Sequence, residues 1–150
     1  MNHSIDALAV VITGLLVGVE LAVAVFFHPL IARLPDDAFR AARVGAARSL
    51  GTTMPFWYAL SLLLLVALAI KERGAARDWL YGAAGALMVL VVLLTVTLLV
   101  PINNRIAKWP AAGGLSRDLA ARWDRLHRLR VALLLAVFVL LTLGVTRAVV

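Results

Sequence analysis

RWDRLHRLRVALLLAVFVLLTLGVT, residues 122–146, joins a strongly basic stretch to an apolar run with no breaker between them. The apolar part, residues 131–146, is too short for a bilayer span, which needs roughly 20 residues at the rise of a helix. It becomes long enough if the helix begins earlier, inside the basic part. Successive helical residues turn by about 100°. Trp123, His127 and Arg130 then share a face with Leu119, Leu126, Leu133 and Leu134, while Arg122, Arg125 and Arg128 point elsewhere. The stretch divides into an outward basic rim and an inward polar triplet on an apolar stripe.

Three further apolar runs, residues 7–27, 50–70 and 79–100, each match the length of a span. The chain is 63% hydrophobic with a mean hydropathy of +0.98, well above the roughly 45–50% apolar content of soluble domains. The expected fold is an all-α, four-span transmembrane helix bundle forming one membrane domain over residues 1–150. Its spans fall near 7–28, 50–70, 79–102 and 127–147. MNHSID lacks a basic leader region, and the first run exceeds a signal core, so it reads as a retained span. The absence of cysteine excludes disulfides, thiol nucleophiles and thiolate metal sites. The net charge of +7 flanks the spans, which points to membrane topology and not to nucleic acid.

Four spans put both termini on one side with the 71–78 loop, where Lys71, Arg73, Arg77 and Arg147 lie. The other side carries Arg33, Arg40, Arg43, Arg48, Arg105, Lys108, Arg117, Arg122, Arg125, Arg128 and Arg130. Eleven basic residues against four place the two large loops in the cytoplasm and both termini outside, in a plasma (inner) membrane. Pro35-Asp36-Asp37 starts, and Gly51 stops, a short interfacial helix over about 36–50. Pro110 and Gly113-Gly114 mark a turn, after which Ser116 caps a helix running unbroken through span four. Trp57-Tyr58 and Trp79/Tyr81 read as interfacial aromatics. Gly14/Gly18 and Gly82/Ala86 read as close-packing pairs.

Glu20 is the one acidic residue deep inside a span, where a carboxylate needs a partner or a proton. Thr13, Glu20 and Phe27 recur every seven residues and share an inward face. Arg130, on an apolar face, needs an anion, and Glu20 is the acidic candidate within the spans. His28 ends the same helix before Pro29, about 12 Å along the axis from Glu20, too far for one metal ion on a straight helix. Asn103 and Asn104 follow Pro101 and either cap span three or line the mouth of a cavity. Lys108 and Trp109 read as a snorkelling cation and an interfacial anchor.

Pro101-Ile102-Asn103-Asn104-Arg105, Trp109, Arg122-Trp123-Asp124-Arg125-Leu126-His127 and Arg130 resemble the DUF1772, or anthrone oxygenase-like, integral membrane family. Gly18-Val19-Glu20 and Phe27-His28-Pro29 fit the same pattern. The resemblance implies a membrane-embedded oxidoreductase that oxidises a small lipophilic, polyketide-like aromatic with O₂. It carries the family's polar positions onto Asn103, Asn104, Trp109, Trp123, His127 and Arg130.

Two chemistries fit that expectation. In one, no cofactor is needed: His127 is the base, with Glu20 and Arg130 as its catalytic partners. Arg130 and the asparagines stabilise an anion, and Trp109 and Trp123 stack on substrate rings. In the other, His28, His127 and Glu20 (or Asp124) hold copper or iron, though three histidines in all, with His3 on the far side, make ligands scarce. The substrate reaches the site laterally or from the cytoplasmic side. The alternatives are a non-catalytic assembly or lipid-binding module and, less well supported, a small transporter subunit. A homo-oligomer is compatible with each.

Overall fold

The computed structural model describes residues 4–75, 78–110 and 114–146, and among them all regular structure is helical. Four long helices, α1 (Ser4–Ala32), α2 (Asp36–Lys71), α3 (Asp78–Ile106) and α4 (Arg117–Thr146), run up and down. Each packs on its neighbours in the ring α1–α2–α3–α4–α1. At 29 to 36 residues, each reaches at least about 43 Å at 1.5 Å per residue, more than a hydrocarbon core. Between 22% and 33% of each apolar window is buried inside the bundle. The rest, including Phe26, Leu30, Phe56, Leu63 and Ile70, faces outward, and only a bilayer makes such a surface favourable. The chain is an integral membrane protein.

Local signals explain where the helices begin and end. Pro35 leaves the chain extended, at φ −55° and ψ 157°, and Asp36 and Asp37 occupy the first turn of α2, where carboxylates oppose the positive helix end. Lys71 closes the last turn and bonds Asp6 of α1 at 3.0 and 3.1 Å. Gly74, at φ +83°, makes the turn towards α3. Ser116 Oγ accepts the Leu119 N–H at 3.2 Å, and α4 then runs unbroken from the basic stretch to Thr146, as its sequence indicates.

The proposed interfacial helix over 36–50 is not a separate element. It is the first part of α2, which continues through Gly51. The reason is a close approach: a Cβ at Gly51 would lie 3.0 Å from Nδ2 of Asn103, whose amide donates to the Ala47 carbonyl at 2.9 Å. Gly51 thus admits α3, and Asn103 clasps the two helices together. The arginines of this segment do not simply lie on a lipid surface: Arg43 is buried, and Arg48 donates to the Ala107 carbonyl. Trp57 and Tyr58 are also not interfacial. Trp57 Nε1 donates to the Ile12 carbonyl, and Tyr58 is buried. Tyr81 is buried as well, whereas Trp79 is exposed. Of the small-residue pairs, Gly14 meets Phe138, while Gly18 and Gly82 have open space. His3, Arg77, Gly113 and Arg147, used above for topology and turns, lie outside the described residues.

Two widened turns interrupt α1 and α3. Residues Val23–Phe27 and Thr95–Leu99 form π-helical turns, and His28 N and Val100 N donate five residues back, to Val23 O and Thr95 O. Each turn is followed at the same distance by a proline, Pro29 or Pro101. Proline brings no N–H to the ladder and its ring crowds the carbonyl a turn earlier, so the helix widens to accommodate it. The extra residue changes facing. Thr13 and Glu20 are buried as their spacing predicts, but beyond them Ala24 and His28 are the buried residues, and Phe27 is only half-buried.

A close contact between α3 and α4 offers a test of this packing. A Cβ at Gly144 would lie 2.9 Å from the Tyr81 ring, whereas one at Gly85 meets nothing within 4 Å. Gly144→Ala is expected to destabilise the bundle by about 1–3 kcal/mol through overpacking, and Gly85→Ala to do so far less. Unfolding midpoints of the two variants in mixed micelles check this.

Candidate functional site

Glu20 organises the interior. Its Oε1 accepts the Tyr58 hydroxyl at 2.7 Å and its Oε2 accepts Arg130 at 2.6 Å. His127 Nδ1 lies 3.2 Å from Oε2, and the same Arg130 nitrogen reaches Nδ1 at 3.0 Å. Glu20, His127 and Arg130 are 2%, 1% and 6% exposed. The expected pairing of Glu20 with Arg130 is present, and His127 joins it. These contacts also select a tautomer. With Arg130 donating to Nδ1, the ring proton sits on Nε2, which donates to the Glu20 backbone carbonyl at 3.2 Å.

Helical spacing explains why α4 delivers this set. His127 and Arg130 are three residues apart on one face, and Trp123 is one turn below His127. The Trp123 ring stacks on His127, with centroids 4.9 Å apart and 11° between planes. The π turn of α1 brings His28 against both, at 4.9 Å from His127 and 5.2 Å from Trp123. Arg122, Arg125 and Arg128 are exposed, the rim that the periodicity predicts.

A second ion pair closes the loop-side end. Arg43 of α2 holds Asp124 of α4 in a bidentate grip, 2.6 Å for each bond, and His28 Nδ1 is 3.4 Å from the same carboxylate. Further out, Arg117 spans the turn between α1 and α2. It donates to Ala32 O, Leu34 O and Asp36 Oδ1 and lies 4.4 Å from the centre of the Phe39 ring.

Beside Glu20 lies a cavity of about 280 Å³, close to the small end of the range for ligand pockets, about 300–1,000 Å³. Its wall is mostly apolar, from Val19, Met54, Leu62, Val92 and Leu99 among others. Most of its polar lining is one cluster, in which Glu20, Tyr58, His127 and Arg130 bond one another and Trp123 stacks on His127, while Thr95 and Asn103 line it from α3. Arg130 Nε is buried and has no hydrogen-bond partner. A much smaller chamber of about 30 Å³, bordered by His28, Arg43 and Trp123, adjoins it and is too small for an organic substrate.

Of the residues expected to bind substrate, Asn103 and Trp123 line the cavity, but Asn104 and Trp109 do not. Asn104 is one helical step further round α3 and exposed, while Trp109 packs against the small cluster of Ala47, Ile102 and Ile106. Asn103 spends its amide N–H on Ala47. Tyr58, expected at the interface, is instead a participant in the site. Met54, Tyr58, Ser61 and Leu65 are all buried, and their four- and seven-residue spacing marks the inward face of α2.

The donor set does not fit the expected copper or iron. Between Glu20 Oε2 and His127 Nδ1, the position that a shared cation would take is filled by the Arg130 guanidinium, and His127 Nε2 is committed to a carbonyl. His28 turns its Nδ1 to Asp124 instead. Among the described residues, no three His, Asp or Glu side chains form a group able to hold a metal ion.

Removing one partner of a buried ion pair strands the other charge, at a cost of about 3–5 kcal/mol. Arg130→Met alone is therefore expected to destabilise strongly, and Glu20→Gln in the same chain to restore part of the loss. Unfolding of both chains in mixed micelles measures that coupling, and additive losses would contradict the pairing.

A family model described as anthrone oxygenase matches residues 45–140, which include most of α2, all of α3 and the site-bearing part of α4. No curated protein and no solved structure matches the chain. On a match that spans most of its length, the chain belongs to the anthrone oxygenase family.

Proposed function

We propose that this protein is a membrane-embedded oxygenase that oxidises a lipophilic, weakly acidic aromatic with O₂, using its own side chains and no metal. The observation that carries the reading is the placement of the Glu20–His127–Arg130 centre at the polar end of an otherwise apolar cavity. Membership in the anthrone oxygenase family supports the substrate class, a fused-ring ketone whose bridging CH₂ is acidic.

A base takes a proton from the bridging carbon, leaving a carbanion whose charge is shared with the ring ketone oxygen. The carbanion passes one electron to O₂, and the two radicals join in a new C–O bond. The resulting peroxide takes up the proton and loses water, leaving a second ring carbonyl. Each turnover oxidises one carbon, consumes one O₂ and releases one H₂O.

The side chains have matching roles. Glu20 accepts the proton, and His127, whose Nδ1 accepts from Arg130, holds that guanidinium beside the carboxylate. Tyr58 fixes the carboxylate, and Arg130, in the cavity wall, is a fixed positive charge for the developing enolate oxygen. Trp123 offers a ring face at the cavity wall. A non-catalytic bundle lock is the second reading, favoured by the full internal bonding of both Glu20 oxygens. On either reading we place the rim of Arg122, Arg125 and Arg128 in the cytoplasm.

The test is O₂ uptake and anthraquinone formation from anthrone by the purified protein in nanodiscs. Glu20→Gln is expected to slow turnover by about 10²-fold or more, with its helical circular dichroism retained, and chelators are expected to leave the rate unchanged. Equal rates for Glu20→Gln and the parent would remove Glu20 from the chemistry. Loss of activity on chelation would remove the metal-free mechanism, and a protein with no turnover, in which Glu20 affects stability alone, is the bundle lock.

A further inference from the structure

We infer that the cavity opens sideways into the bilayer through a cleft between α2 and α3, and that flat lipophilic ring compounds reach Arg130 by this route. The inference rests on the cavity being the substrate site. Gly51, Pro55 and Ala59, at four-residue spacing on α2, line the cavity and are exposed, whereas Met54 and Tyr58 beside them are buried. Val92, Val96 and Val100 repeat the same spacing on α3, and Val96 is 59% exposed. One edge of the cleft is thus nearly without side chains, and the other is a row of short branched ones. Leu60 and Leu93, next in the chain to Ala59 and Val92, and Leu63, one turn beyond Ala59, are exposed apolar residues that suit hydrocarbon.

The loop-side end is closed. Asn103 ties α3 to Ala47 of α2, Arg48 ties the same helix to Ala107, and the Arg43–Asp124 pair with His28 plugs the bundle below Trp123. A ligand arriving from water on that side meets desolvated ion pairs, whereas one already dissolved in lipid meets a glycine, a proline and an alanine. In the cavity wall it finds Arg130, 6% exposed and a charged hydrogen-bond donor. That donor fits a ketone or phenolate oxygen on the leading edge of an otherwise apolar molecule. Pro55 brings no N–H to the Gly51 carbonyl four residues before it, so α2 has one backbone bond fewer where it lines the cavity.

The experiment uses 9,10-anthraquinone as a quencher in a full-length chain whose Trp57, Trp79 and Trp109 are replaced by phenylalanine. Trp123 at the cavity wall is then the sole reporter, and circular dichroism confirms the helices first. Val96→Phe, or Ala59→Phe should that variant fold poorly, narrows the cleft. Val139→Phe, at an exposed apolar position of α4 outside the cavity lining, is the control. Stopped-flow mixing with quinone-loaded vesicles is expected to show quenching about tenfold slower or more for the cleft variant than for the control. Release into empty vesicles slows in parallel, because a gate changes both rates. Equal rates in the cleft variant and control would overturn the lateral route while leaving the cavity as the site. No quenching in the parent chain would overturn both.

Discussion

A carboxylate at mid-membrane must be neutralised, and the rest of this structure is arranged around that requirement. On insertion scales such a group costs about 2.5–3.5 kcal/mol at the helix centre. Here Glu20 of α1 is met by a hydroxyl from α2 and by a guanidinium and an imidazole from α4. Three helices are therefore locked to one another by polar contacts of fixed geometry. α3 brings no side chain to Glu20 and contributes an apolar wall instead, so the free volume collects on its side. The constraint that holds the bundle together also decides where it is hollow.

The prolines refine that arrangement. Pro29 and Pro101 each follow a widened turn, one on the helix that carries Glu20 and one on the helix that walls the cavity. The first rotates His28 into the interior, where it bridges Trp123, His127 and Asp124. The second lies within the cavity wall, and there Thr95 and Thr97 return their hydroxyls to Val91 and Leu93 carbonyls, which keeps this backbone bonded without a polar partner from lipid. Such turns are frequent at functional sites. In this chain each has a local cause in the sequence.

Long apolar runs made the spans legible, because composition and length alone decide whether a segment suits hydrocarbon. The Glu20–Arg130 pair was legible for a related reason: charges inside spans are so few that the partners are nearly forced. Finer features were hidden where two rules compete. Trp57-Tyr58 matches the aromatic belt by composition, yet the buried spacing of Met54, Tyr58 and Leu65 is what governs. Gly51 matches a helix stop, yet its missing Cβ admits Asn103. A strict seven-residue period chose Phe27 over His28, because no periodicity anticipates an inserted residue in a widened turn. The Arg43–Asp124 bridge joins residues 81 apart, and nothing in the order of the chain distinguishes Arg43 from the other arginines of its segment. What speaks against the metal alternative is geometry that the sequence does not carry, the guanidinium seated between carboxylate and imidazole.

The central claim is that the polar end of the cavity is where a ring compound is held. A structure of the protein in lipid nanodiscs with 9,10-anthraquinone bound tests it most directly. The account predicts ring density between Leu99, Trp123 and Val92, with one carbonyl oxygen within hydrogen-bonding distance of Arg130. Density elsewhere on the bundle, or an undisturbed Glu20–Arg130 centre with lipid filling the cavity at saturating quinone, would contradict it.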